Sequence, residues 1–286
     1  MSATSATVST ETAYFEATAD NTFGPTPAAG GHWGSSLISG PAVAGLAAYA
    51  LERDHGQSGF LPARFTIDLV KPARLAPTRV QTRLIRDGRR VRYAECDVLQ
   101  GDWIVARATA VQYRISEAPP GAEWTPVNSF PRPQGCDGDR LVVGSDSAGW
   151  GLLGANHQDG SRKRACYRGV NVLQSEPVSP FVRSVIVAEA AVNMVINLST
   201  KGIGYINGDL TVSLSRLPRC ELIGVQGDTR SAFEGIAVGT ASLFDDFGPF
   251  GSAMVTSLAN PDAQIDFAGT ARTAAPGAEL FGHSLS

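Results

Sequence analysis

The 286-residue sequence runs through one pattern twice, and this constrains its fold more than any other feature. Phe65-Thr66-Ile67-Asp68-Leu69-Val70-Lys71 keeps step with Leu210-Thr211-Val212-Ser213-Leu214-Ser215-Arg216 at an offset of 145 residues (210 − 65). The same offset carries Val91, Tyr93, Cys96 and Val98 onto Ile236, Val238, Ala241 and Leu243, and Ala108 onto Ala253. Apolar and polar residues alternate in these segments, as in strands with one dry face. Ahead of each set lies an apolar stretch, Ser35 to Leu51 and Ser184 to Leu198; between Val185 and Ile196 only Glu189 and Asn193 are polar. Apolar on nearly every side, each stretch predicts a helix enclosed by other structure.

Between the two runs, from Glu117 to Gly135, five prolines remove backbone donors and helical angles. This segment reads as a linker and divides the chain into residues 1–116, 117–135 and 136–286. A buried helix followed by an antiparallel sheet that wraps it is the pattern of the hotdog fold. Two such units in tandem predict an α+β double hotdog. The alternation then has a cause, since the sheet face toward the helix must be dry while the other meets water, a partner or a ligand.

Composition narrows the function classes. With 43% apolar and 18% charged residues the chain has the makings of a packed core. Its net charge of −3 supplies no basic field for nucleic acid. Cys96, Cys136, Cys166 and Cys220 lie tens of residues apart with no Cys-x-x-Cys pair and no His at metal-ligand spacing, so neither a metal site nor a disulfide framework is expected. The stretch from Met1 to about Thr12 lacks a basic start and an apolar run and reads as a frayed tail. No run of about 18 apolar residues is uninterrupted, so no membrane span is expected and the location expected is cytoplasmic.

Candidate chemistry gathers around Asp209, which opens the second-half strand on its polar face directly after Gly208. The run Gly30-Gly31-His32-Trp33-Gly34 precedes the first helix, where glycines let a ligand approach the backbone. The four histidines are scattered without a Gly-x-Ser-x-Gly elbow, which leaves a Ser-His-Asp hydrolase unsupported.

An ordered set of motifs then points to one family. In the second half these are Gly208-Asp209-Leu210 leading to Ser215-Arg216-Leu217-Pro218, Gly227-Asp228-Thr229-Arg230-Ser231, and Ala241-Ser242-Leu243-Phe244-Asp245 with Gly248-Pro249-Phe250-Gly251 and Thr256-Ser257-Leu258. In the first half they are the Gly30 to Gly34 run, Arg64 to Pro72, and Arg86-Asp87-Gly88-Arg89-Arg90. In these motifs the chain resembles the type II acyl-CoA thioesterases, tandem-hotdog hydrolases. The resemblance implies that a fatty or other acyl-CoA is split to free acid and coenzyme A by an activated water, without cofactor, in a chain open to homo-oligomerisation. It places the catalytic Asp on Asp209 and the hydroxyl on Thr229, while the glycine run ahead of the first helix offers Gly31, His32, Trp33 and Gly34 to the substrate. The family's Gln falls on Thr256, whose short hydroxyl predicts a weaker activity or, as the alternative, a non-catalytic acyl-CoA or lipid-binding protein.

Overall fold

Two helices and eight long strands set the architecture of the computed structural model, which describes residues 12–31, 33–124, 129–174 and 176–267. Helix α1 (Gly40–His55) leads into β1 (Phe60–Leu69), β2 (Thr78–Asp87), β3 (Val91–Gln100) and β4 (Trp103–Arg114). Helix α2 (Pro180–Asn197) leads into β5 (Asp209–Leu214), β6 (Ile223–Phe233), β7 (Ile236–Asp245) and β8 (Gly248–Ala259). All eight strands share one sheet in the order β6-β7-β8-β5-β1-β4-β3-β2, antiparallel at every step. Lys163–Tyr167 extends it beyond β6 and Thr22–Pro25 beyond β2. Ala13–Ala19 then pairs in parallel with Asn171–Leu173, tying the first half to the second.

The offset read from the sequence reproduces strand bounds. Val91–Gln100 recurs as Ile236–Asp245 and Trp103–Arg114 as Gly248–Ala259, each bound 145 residues on (236 − 91, 248 − 103). At the centre of the sheet β1 meets β5, and Thr66 faces Thr211 with their Oγ1 atoms 3.2 Å apart. Because 66 + 145 = 211, each is the other's counterpart in the repeated pattern.

The helices depart from that shift, for α2 starts only 140 residues after α1 (180 − 40). Two of the five additional residues lengthen α2, which has 18 residues against 16. The connection from helix to sheet is longer too, residues 198–208 against 56–59, and contains the small Leu198–Ser199 and Gly202–Ile203 hairpin. Helix α1 begins five residues later than the apolar pattern predicts, because Gly34–Ile38 is a strand paired with Gly30–Gly31. Pro41 fits the first turn that follows, where no backbone donor is needed. Helix α2 begins four residues earlier than predicted, at Pro180, where the hydroxyl of the preceding Ser179 accepts from the Val182 amide at 3.1 Å.

The core lies where the helices cross inside the sheet. A Cβ on Gly45 would come within 2.8 Å of Ile186 Cγ1, so the missing side chain lets the helices close on each other. Leu46, Phe65, Ile67, Val185, Val192, Leu210 and Val212 are buried around that crossing. By length and composition alone α2 is long and apolar enough to cross a membrane, and 89% of it is buried inside the protein.

Between Arg114 and Val142 no helix or strand occurs among the described residues. The prolines still leave this segment an anchor: the Phe130 ring stacks on Phe244 at 5.1 Å between centroids. Residues 125–128 of the expected linker and residues 1–11 of the expected tail lie outside the described residues.

Candidate active site

Glu189, Asn193 and Asn197 recur every four residues along α2 and so share one face of it. All three are buried, which demands partners for their polar atoms. Asn207 Nδ2, from the approach to β5, donates to Glu189 Oε1 at 3.0 Å. Asn193 Nδ2 donates to the Tyr205 carbonyl at 3.0 Å, while its Oδ1 accepts from Asn197 Nδ2 at 2.9 Å and from Ser257 Oγ at 3.1 Å. Ser257 reaches this cluster because β8 alternates, with Val255 and Ser257 turned inward and Met254 and Leu258 exposed. The ladder ends at Arg230 Nε, which donates to Asn197 Oδ1 at 3.2 Å and stands over the Tyr205 ring. Beyond Arg230 opens a groove of about 720 Å³.

The carboxylate of Glu189 lies against the first turn of α1. A Cβ on Gly40 would stand 2.6 Å from Glu189 Oε2 and closer still to Oε1, so only glycine admits the carboxylate here. First-turn amides of a helix have no acceptor within it, and their dipoles favour negative charge. The two helix starts differ in how they meet this need. Ser179 caps α2, whereas Ser39, the cap residue of α1, makes no side-chain capping bond and its buried Oγ has no partner among the described residues.

A cavity of about 410 Å³ opens at this uncapped end. Ser39, Gly40, Glu189, Asn193 and Asn207 supply its polar wall, and Val43, Leu69, Val105, Met194, Ile203 and Ile265 much of its apolar wall. A few convergent polar groups in an apolar cleft make the usual setting for small-molecule chemistry. Burial raises the Glu189 pKa from 4.5 to about 7, against the lowering effect of the Asn207 hydrogen bond.

That shift costs stability in a defined window. Protonation is equal in folded and unfolded chains below the unfolded value near 4.5, and the cost of ionising a buried carboxylate grows until pH passes the folded value near 7. Glu189→Gln is therefore expected to match the native chain in thermal melts at pH 4 and to exceed it at pH 8, by about 3 kcal/mol. An equal difference at both pH values would contradict the burial.

Of the residues that the sequence points to, the structure brings some together and separates others. Asp209 and Thr256 adjoin, with the Thr256 amide donating to Asp209 Oδ1 at 2.8 Å. Thr229 lies on β6, three strands along the sheet from β5, or about 14 Å at the usual spacing, and its hydroxyl meets that of Thr240 at 2.8 Å. The three do not converge on one point. Gly31 and Trp33 line the cavity beside α1, Gly34 pairs with Gly31, and His32 lies outside the described residues.

Residues 30–113 match the family model described as the acyl-CoA thioesterase N-terminal domain. The match lies within the first half and covers under a third of the chain. Solved structures similar to this chain bear on its fold. The tesB protein from Mycobacterium avium subs paratuberculosis superposes with a TM-score of 0.59 at 16% identity, covering 86% of this chain and 96% of that one. The acyl-CoA thioesterase II TesB2 from Mycobacterium marinum gives 0.61 at 14% identity, with 86% and 94% covered. A conserved protein with hot dog fold from Alicyclobacillus acidocaldarius gives 0.60 at 13%, with 85% and 95% covered. The hotdog fold follows from these likenesses and the antiparallel sheet around buried helices. Among curated proteins nothing matches.

Glu189, Asn193, Asn207 and Ser257 are not among the residues to which the sequence assigns chemistry. One signal was present: a carboxylate inside an otherwise apolar helix, where burial has to be compensated. Ser257 could have been found from the same period of two that located the strands.

Proposed function

We propose that the chain is an acyl-CoA thioesterase built as two tandem hotdogs joined over residues 117–135, with Glu189 as its general base. The observation that carries this reading is the buried Glu189 carboxylate, held against the uncapped start of α1 inside an apolar cavity. The strand bounds repeated at 145 residues and the self-matching pair Thr66 and Thr211 support the tandem arrangement.

The chemistry follows from the groups at hand. Ionised Glu189, oriented by Asn207, takes a proton from a water whose oxygen attacks the thioester carbonyl carbon. The developing oxyanion meets the Ser39 hydroxyl and the first-turn amides of α1, donors already fixed in place. Collapse breaks the carbon–sulfur bond, and protonated Glu189 returns its proton to the departing sulfur. Free acid and the coenzyme A thiol leave, and the carboxylate is restored. Asn193, pinned by three hydrogen bonds, keeps an amide edge on the cavity wall beside the reacting group.

Release of free thiol from acyl-CoA esters of graded chain length, catalysed by the full chain, tests this proposal. Absence of turnover with every ester would refute it. Asp209→Asn and Thr229→Val serve to locate the site, since both residues lie outside the cavity wall. Each variant is expected to keep kcat within about threefold of the native chain, as surface changes usually do. A loss of about a hundredfold in Asp209→Asn would instead move the base to the strand.

A further inference from the structure

The mouth of the Glu189 cavity carries a feature that hydrolysis itself does not use. Lys71 lines the cavity, is exposed, and sets its Nζ 3.4 Å from the centre of the Trp103 ring. Trp103 is 66% exposed, and Val70 beside Lys71 is 55% exposed. An indole face held in place at a cavity mouth is available to stack on another ring. Rigidity comes from the hairpin joining β3 to β4, where Gln100 pairs with Trp103 across a turn with Gly101 at φ 58°. The Gln100 side chain fixes that hairpin: its Oε1 accepts from the Arg74 amide at 2.9 Å, and its Nε2 donates to the Arg74 carbonyl at 2.7 Å and to Thr78 Oγ1 at 3.0 Å. From the other side, the Val70 and Lys71 amides both donate to the Val105 carbonyl at 3.0 Å. Ring and ammonium are thus held together by two anchored loops.

We propose that Trp103 and Lys71 form the landing platform for the nucleotide end of the thioester, a phosphorylated purine. Resting on the hydrolase reading above, this assigns the outer end of the same cavity. The two parts of such a ligand match the two groups. A purine ring stacks on an indole face, and a phosphate pairs with an ammonium that forms no ion pair with any described carboxylate. The apolar wall takes the acyl part, which places the thioester between the platform and the interior.

The test compares two esters of one acyl group, on coenzyme A and on pantetheine, which lacks the nucleotide. For Trp103→Ala and Lys71→Gln the ratio of kcat/KM for the coenzyme A ester over the pantetheine ester is expected to fall about tenfold, through KM. A ratio equal to that of the native chain in both variants would overturn the proposal, whether both esters slow together or neither changes. Binding of adenosine 3′,5′-bisphosphate, followed by equilibrium dialysis with the full chain, separates this result from the hydrolase reading. If neither ester is turned over, nucleotide binding that is present in the native chain and weakened about tenfold in Trp103→Ala still supports the platform. Binding that is absent from the native chain, or equal in both, overturns it.

Discussion

Replacing Glu189 with Gln is expected to lower kcat by about 10²–10⁴ while leaving acyl-CoA binding within a few-fold of the native chain, because the amide keeps the volume and loses the base. The native chain should gain kcat/KM as pH rises through about 7, the value to which burial lifts this carboxyl. Below that value the base carries a proton and cannot take another. The variant should retain a small rate without that limb. Initial rates of thiol release between pH 5 and 9, paired with calorimetric binding, check both statements. A rate limb that persists unchanged in Glu189→Gln would assign the ionisation to another group.

Gly40→Ala is expected to be as damaging to turnover, and for a different reason. The methyl group would occupy the place of the Glu189 carboxylate, which sits at the end of a flexible side chain and can rotate away. Alanine also leaves the unfolded chain less freedom than glycine, by about 0.4–1 kcal/mol where the backbone is compatible, so the fold should survive or gain slightly. The expected result is a loss of kcat of about a hundredfold or more with an unchanged or raised melting temperature. Combined with Glu189→Gln the substitution should cost little more, since both remove the same arrangement and their effects do not add. A further large loss in the double variant would show that Gly40 matters for something other than the carboxylate.

The sheet was legible in the sequence because its strands alternate with period two on a shared offset, and residues 91–100 and 103–114 recur to the residue at 236–245 and 248–259. The helix starts were less so. Gly34–Ile38 is apolar enough to pass for the beginning of α1, and only its pairing with Gly30–Gly31 shows it to be a strand. The site was the hardest part to read. Asp209 stood out as a carboxylate at the head of a strand, while Glu189 was swallowed by an apolar run in which a periodic pattern sees only a helix to be buried. What makes Glu189 interesting is the glycine that admits it, Gly40, 149 residues earlier in the chain (189 − 40). Such a pairing belongs to tertiary structure and leaves no local periodicity.

The two helix starts, one capped and one bare, have a further consequence. Matching the caps at 140 residues (179 − 39) sets Pro180 where α1 has Gly40, and Tyr49 where α2 has Glu189. Two identical chains related by a twofold axis must repeat every residue, so a destabilising carboxylate and the empty helix end it faces would both occur twice. On the proposed tandem arrangement, joining the halves in one polypeptide frees them to specialise: one keeps a sealed helix end that holds the fold, and the other an open end for the proposed chemistry. Saturation of the chain with a non-hydrolysable thioester should accordingly stop at one equivalent per polypeptide, half of what its symmetry alone would offer.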